Sequence, residues 1–197
     1  MIISTLERDY RVIHRGRETE NFEVLLCRTG QETGGADCTL LRFFDREEIR
    51  RILEQNLLRR GITESFTDYR ESFIWHGDLV MVFRRREGTT LGHYLRTECP
   101  PPGRRLEIGR RLLERLLLMN MPDYLLAGIL NEKCILVTEG GEVAIRYEPD
   151  EIHCREQERE ESLRSCFCRI FSLLLSEGQE KPAAGIRRFL EQLEKEY

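Results

Sequence analysis

The stretch Leu79 to Leu95, LVMVFRRREGTTLGHYL, constrains this chain more than any other. It reads as a strand, a joint and a helix start. Leu79 to Phe83 is a short apolar run of β-formers, Glu87-Gly88 breaks it, and Leu91, Tyr94 and Leu95 resume at helical spacing. A strand that feeds a helix through so short a joint links two layers, so the remaining elements are expected to divide into a sheet before the joint and helices after it.

The chain before the joint supplies the sheet. Tyr10 to His14 and Phe22 to Arg28 read as strands, and the intervening His14 to Asn21 reads as an ordinary hairpin turn. Cys38 to Phe44 is a third strand, and Asp45 stands where it can cap a helix from Arg46 to Arg59 that Gly61 ends. Ile49, Ile52, Leu53 and Leu57 give that helix one apolar face. Phe66 to Trp75 is a fourth strand, with His76-Gly77-Asp78 as a tight turn into the strand of the joint.

Beyond the joint, Cys99-Pro-Pro-Pro-Gly103 is a stiff break. Leu106 to Met119 reads as a long central helix, with Leu106, Gly109, Leu112, Leu113, Leu116 and Leu117 inward and Pro122 as its stop. Ile135 to Thr138 and Glu142 to Tyr147 form a hairpin around Gly140-Gly141. Glu148 to Glu161 is dense in charge without an apolar period and reads as a solvated linker or helix face. Leu163 to Leu175 is an apolar helix, and Ile186 to Tyr197 a last one.

Composition limits the function. The 197 residues include 34% charged side chains that nearly cancel to a net charge of −4, so bulk charge makes no case for nucleic acid or a membrane surface. No apolar run reaches the roughly 20 residues that cross a bilayer. Cysteines 27, 38, 99, 134, 154, 166 and 168 are an odd set without a repeated CxxC, and the start has no secretory pattern; reduced thiols in the cytoplasm are the expectation. His153-Cys154 with Cys166 and Cys168 matches no common zinc spacing, so no metal is expected.

The order of three strands, a helix, two strands, a joint and helices with a small hairpin resembles the protein-kinase-like fold. The resemblance implies an α+β fold: a small lobe over residues 1–83 with a five-stranded antiparallel sheet and one helix, a hinge at about 84–88, and a reduced helical lobe over 84–197 with a β-hairpin. TLLRFFD, Thr39 to Asp45, is similar to the strand that carries the phosphate-binding lysine, and Arg42 falls at the lysine's place. Only Lys133, Lys181 and Lys195 are lysines, none in an apolar strand. Glu54 is the acid this register would pair with Arg42, with Glu47 and Glu48 as competitors. YLLAGILNEKCILVTEGGEVAIRYEPD resembles the catalytic loop and the hairpin that ends at the metal-binding aspartate. Ala127, Gly128 and Ile129 stand at the histidine, arginine and aspartate of that loop. Cys134 stands at the metal-binding asparagine, and Tyr147, Glu148 and Pro149 stand at the last motif.

Phosphoryl transfer rests on positioning and charge neutralisation, and these positions lack the groups that hold two magnesium ions and an attacking hydroxyl. The loop from His14 to Asn21 has one glycine beside Glu18, Glu20 and Asn21, a poor phosphate cradle. The expectation is therefore a catalytically inactive pseudokinase, with no cofactor and no metal, whose vestigial cleft positions are Arg42, Glu54, Cys134 and Tyr147. The resemblance extends to the kinase-like cytoplasmic domain of the type VII secretion membrane component. That implies a docking or scaffold module for protein partners, a possible homodimer, in bacterial cell-envelope or secretion machinery, tethered to the membrane if the chain continues. An atypical phosphotransferase, with Asp150 or Glu148 holding metal, or a nucleotide-sensing switch, is the alternative. Binding of an anionic surface through Arg84-Arg85-Arg86 with Arg104, Arg105, Arg110 and Arg111 is a weaker idea.

Overall fold

The computed structural model describes residues 1–30, 36–58, 68–118, 123–152 and 156–176. The expected helix from Ile186 to Tyr197, the stop at Pro122, the helix end at Gly61 and the pair His153-Cys154 lie outside these residues.

The chain before the joint folds as an antiparallel sheet. Its strands are β1 (Ile2–Ser4), β2 (Asp9–Glu18), β3 (Phe22–Arg28), β4 (Cys38–Phe43), β5 (Tyr69–Trp75) and β6 (Asp78–Arg84). Their spatial order is β1-β2-β3-β4-β6-β5. The expected five strands are thus six. The addition is β1, whose Ile3 pairs with Tyr10 and is fully buried. Thr5 makes the connecting turn, its Oγ1 accepting from the Arg8 amide at 3.0 Å.

The local signals acted as the residues predict. The β2–β3 hairpin is the exception in extent, since β2 runs to Glu18, well into the expected turn His14 to Asn21, and Thr19 closes it, its Oγ1 accepting from the Phe22 amide at 3.1 Å. Asp45 caps α1 (Arg46–Leu58), its Oδ1 accepting from the Glu48 amide at 2.8 Å. His76 and Gly77, at φ 51° and 92°, make the two-residue turn between β5 and β6.

After the joint come β7 (Thr89–Thr90), α2 (Leu91–Glu98), α3 (Pro102–Leu118), α4 (Asp123–Ile129), β8 (Ile135–Val137), β9 (Val143–Ile145) and α5 (Glu156–Ser176). The expected hairpin is β8–β9, and β7 adds to it as a third strand through Thr89 opposite Val137. Helix α5 starts inside the stretch expected to be a solvated linker or helix face, and from Glu156 on it is helix. Glutamates are good helix formers, so dense charge without an apolar period does not prevent a helix.

The α3 expectation needs a larger correction. Leu112 is buried and Leu116 half-buried, and Gly109 lies close under Phe171 and Leu174 of α5. Leu106, Leu113 and Leu117 instead face out, at 54%, 38% and 83% exposure.

Two cores result, one on each face of the sheet. The larger runs from Phe22, Val24, Leu41, Phe43, Met81 and Phe83 through Ile49 and Ile52 of α1 to Leu91, Ile108, Ile129, Ile145, Tyr147 and Leu174 beyond the joint. Apolar packing is therefore continuous across the boundary at 83/84. The smaller core, of Ile3, Tyr10, Leu25, Cys27, Cys38, Leu40, Val80 and Val82, fills the opposite face. The sheet curls around it, so that Tyr10 of β2 stacks on Phe73 of β5 at 6.0 Å although three strands, β3, β4 and β6, lie between them in the sheet. Register irregularities in β2, between Val12 and His14 and between Arg15 and Glu18, supply part of the bend.

Candidate functional site

Side chains alternate across a strand, so the face on which β4 presents Arg42 decides whether it can serve the cleft. Leu41 and Phe43 belong to the core shared with α1 and the later helices, while Leu40 and Cys38 belong to the core inside the curl. Arg42 is in phase with the second pair. Its Nη1 donates to Glu23 Oε1 at 2.6 Å and its Nε to Asp78 Oδ2 at 2.7 Å, and its guanidinium lies 4.9 Å from the Trp75 ring centroid.

Arg42 therefore does not pair with Glu54. Helix α1 packs on the other face, and Glu54 accepts from Arg50 at 3.1 Å on the exposed side of its own helix. Of its competitors, Glu47 binds Arg51 at 2.7 Å and Glu48 accepts from Asn21 at 3.3 Å. Nor is Arg42 on an edge strand, because β4 lies between β3 and β6. It holds one end of the curled sheet, and the positions that face the joint are the apolar Leu41 and Phe43.

The other two cleft positions do come together beyond the joint. Cys134 is buried and donates through Sγ to the Glu148 carbonyl at 3.3 Å, and burial pushes its thiol up to about 11. Asn131 organises the turn before it: Oδ1 accepts from the Lys133 and Cys134 amides, each at 3.0 Å, and Nδ2 donates to the Gly128 carbonyl at 3.0 Å. Tyr147 follows β9 and stacks on Phe83 at 4.1 Å with 10° between the planes. It is 1% exposed, and burial raises its phenol pKa, so the ring stays neutral.

Ala127, Gly128 and Ile129 form the end of α4 and are not an open loop. Ile129 is fully buried. A Cβ on Gly128 would stand 2.5 Å from the Glu151 carbonyl oxygen, so the chain after Tyr147 lies directly over this position. A groove of about 460 Å³ beside it is lined by Asn131, Glu132, Lys133, Asp150, Arg169 and Leu173 among others. Its Asp150 is neutralised by Arg17 at 3.0 Å and Lys133 at 3.2 Å. Glu148 binds Arg85 at 2.7 Å. Among the described residues no group of three or more His, Cys, Asp or Glu side chains is placed to hold a metal ion.

The joint is also tied by residues that sequence reasoning missed. Asp68, at the start of β5, accepts from Arg86 Nη2 at 2.5 Å and from Arg115 Nη2 of α3 at 3.1 Å. Its side chain is 5% exposed, so the carboxylate is a clamp between sheet, hinge and helix. Nothing local marks Asp68 for this role, since its partners lie 18 and 47 residues away. The arginines expected to bind an anionic surface are mostly engaged inside the molecule. Arg105 is buried against the Pro100 carbonyl, Arg104 and Arg111 reach the Gly141 carbonyl, and Arg110 binds Glu107 at 2.7 Å and also Glu114.

A scan against protein-family models finds no match to this chain, and a search of curated proteins finds none either. Fold and site therefore define the chain as an α+β protein with a curled antiparallel sheet, in which an aromatic stack and a buried acid–arginine clamp close the space between sheet and helices. Among the described residues no helix is long and apolar enough to cross a membrane.

Proposed function

We propose that this chain is a kinase-like module without phosphotransfer activity, and that it works by docking another protein chain in a cell-envelope or secretion assembly. The observation that carries the proposal is the Tyr147 ring. It lies at the position the resemblance gives to the metal-binding aspartate, and it fills the space against Phe83 at the end of the hinge strand. A neutral aromatic ring buried there supplies no metal ligand and occupies the space beside Phe83. The arrangement of Arg42, bound on the far face of the sheet to Glu23 and Asp78, supports the same reading, because a guanidinium there reaches no nucleotide in the joint.

Support for a docking role comes from α3. Leu106, Leu113 and Leu117 are spaced at seven and four residues along one exposed side of a helix whose opposite side packs against α5. Apolar side chains grouped on one exposed helix face mark an interaction surface more often than isolated ones do. The kinase-like assignment is supported by element order: helix α1 between the third and fourth of the five main strands, a hinge at 85–88, and the three-stranded sheet that ties β7 to the hairpin.

Two measurements test the proposal together. Incubation with radiolabelled ATP and magnesium or manganese is expected to transfer no label to the protein or to generic substrates. Light scattering over a range of concentrations is expected to show association that Leu113→Ser with Leu117→Ser reduces. Transfer of label overturns the inactive reading, and a strict monomer whose α3 variants leave partner binding unchanged overturns the docking reading.

A further inference from the structure

We propose that the Cys38 end of the curled sheet is a groove for an acidic peptide segment of a partner protein. This inference rests on the docking reading above and names the chemistry of one partner surface.

The curl creates the groove. Contact between Tyr10 and Phe73, with the Tyr10 hydroxyl donating to Glu71, carries the β1–β2 turn over the start of β5. Between them opens a space of about 790 Å³ lined by Arg8, Thr29, Asp68, Tyr69, Arg70, Arg84 and Arg86. Arg42, Glu23 and Asp78 close the opposite end of the same curl with ion pairs. At the Cys38 end no ion pair among the described residues spans β3, β4 and β6 in this way.

Charge indicates what would fill it. Four guanidinium groups line the groove against the single carboxylate of Asp68, in a chain whose net charge is −4. Asp68 is already held by Arg86 and Arg115, and the Thr29 hydroxyl is engaged by Asp37. Among the described residues the ion pair of Arg8 is a long one, 4.0 Å to Glu71, and its guanidinium also lies beside the Tyr10 hydroxyl. Arg70 and Arg84 make no ion pair among the described residues, whereas Arg110 and Arg111 of α3 each hold two carboxylates. Arg70 and Arg84, in one groove without ion-pair partners among the described residues, repel one another, and a ligand bearing carboxylates relieves that repulsion while matching the fork of each arginine.

Shape favours an extended acidic chain over a compact anion. The arginines come from four separate segments, the β1–β2 turn, β5, the end of β6 and the hinge. A single phosphate would need its donors to converge on one point. The groove also runs beside β5, an edge strand of the sheet, where backbone groups are within reach of an extended peptide.

The test is fluorescence polarisation of a short labelled Glu- and Asp-rich peptide, with its Gln and Asn counterpart as control. Binding of the acidic peptide that weakens with salt is expected, about tenfold weaker in Arg70→Ala with Arg84→Ala, partly retained in the two-lysine variant, and unchanged in Arg110→Ala. Circular dichroism and the melting temperature check that the alanine pair still folds, as expected for side chains without ion-pair partners. Equal binding by wild type and the alanine pair overturns the proposal. So does a groove-dependent response to inorganic phosphate or to phosphatidylserine vesicles with none to the peptide, which would assign the arginines to a small anion or a lipid headgroup. Loss of peptide binding leaves association through α3 intact, so light scattering on the same variants tells failure of this inference from failure of the docking reading.

Discussion

The ring of Tyr147 lies on the ring of Phe83 with centroids 4.1 Å apart, and this contact joins the last residue group of the hairpin to the end of the hinge strand. Both rings are almost wholly buried, so the pair belongs to the core that crosses the joint. Truncation of a buried aromatic costs lost transfer energy and leaves a cavity; Tyr147→Ala is expected to destabilise the protein by about 3 to 5 kcal/mol in urea unfolding. If the ring only blocked a surviving nucleotide site, the variant would gain stability from millimolar ATP and magnesium. No such gain is expected in a thermal-shift measurement, because Leu41 and Phe43, and no cation, face the joint from β4.

Arg42 and Glu54 give opposite expectations. Glu23 is 6% exposed at its side chain, and Arg42 is its close partner at 2.6 Å. Arg42→Ala leaves that carboxylate without this partner and removes the guanidinium from the Trp75 face, which is expected to cost about 2 to 4 kcal/mol. Glu54→Ala removes only an exposed helix pair and is expected to stay within about 0.5 kcal/mol of wild type. Equal effects in urea unfolding would mean that Arg42 and Glu54 act as one pair after all.

What could be read in the chain was what neighbouring residues decide. The Asp45 cap, the His76-Gly77 turn, the apolar run Leu79 to Phe83 and the β8–β9 hairpin all have their causes within a few residues. The face of Arg42 did not, because TLLRFF is covered on both sides and carries no alternation, and one step of register moves a side chain to the opposite face. Strand β1 is three residues long, too short for any period, and its reason is the burial of Ile3 beside Tyr10. The arginine groove depends on the curl that brings Arg8 and Arg70 to the lining of one space, a proximity of distant parts of the sheet that no spacing expresses.

Two glycines separate close approach from ordinary packing. A methyl at Gly128 would meet the Glu151 carbonyl oxygen at 2.5 Å and Pro149 Cβ at 3.0 Å, so the segment after Tyr147 would have to shift. Gly128→Ala is expected to destabilise by about 1 to 3 kcal/mol. At Gly109 the nearest atoms are Phe171 Cε1 at 3.5 Å and Leu174 Cδ1 at 3.7 Å, ordinary van der Waals distances within a helix. Gly109→Ala is expected to be neutral or to stabilise by up to about 1 kcal/mol through helix propensity. Urea midpoints of the two variants decide it, and a large loss at Gly109 would mean that α3 and α5 pack more tightly than these distances describe.

Helix α3 should carry a measurable pH signature. Hydrogen bonds from Arg110, and then from Arg111, hold the Glu107 carboxyl well below its ordinary value of 4.5, at about 2. A carboxylate whose folded pKa is depressed binds fewer protons in the folded state than in the unfolded one. Its contribution to stability is therefore present above about pH 4.5 and is lost as pH falls towards 2. Other carboxylates also titrate in this window, so the comparison needs Glu107→Gln, which keeps the side-chain shape and removes the charge. The stability difference between wild type and the variant is expected to shrink as pH is lowered from 5 towards 2.5, and an NMR titration is expected to place Glu107 below the other exposed glutamates. The group is exposed, so salt at about 1 M, with a screening length of about 3 Å, should move its midpoint back towards the ordinary value. A Glu107 that titrates like a free glutamate at low salt would mean that Arg110 and Arg111 do not hold it in solution, and would free two arginines of α3 for contact with another chain.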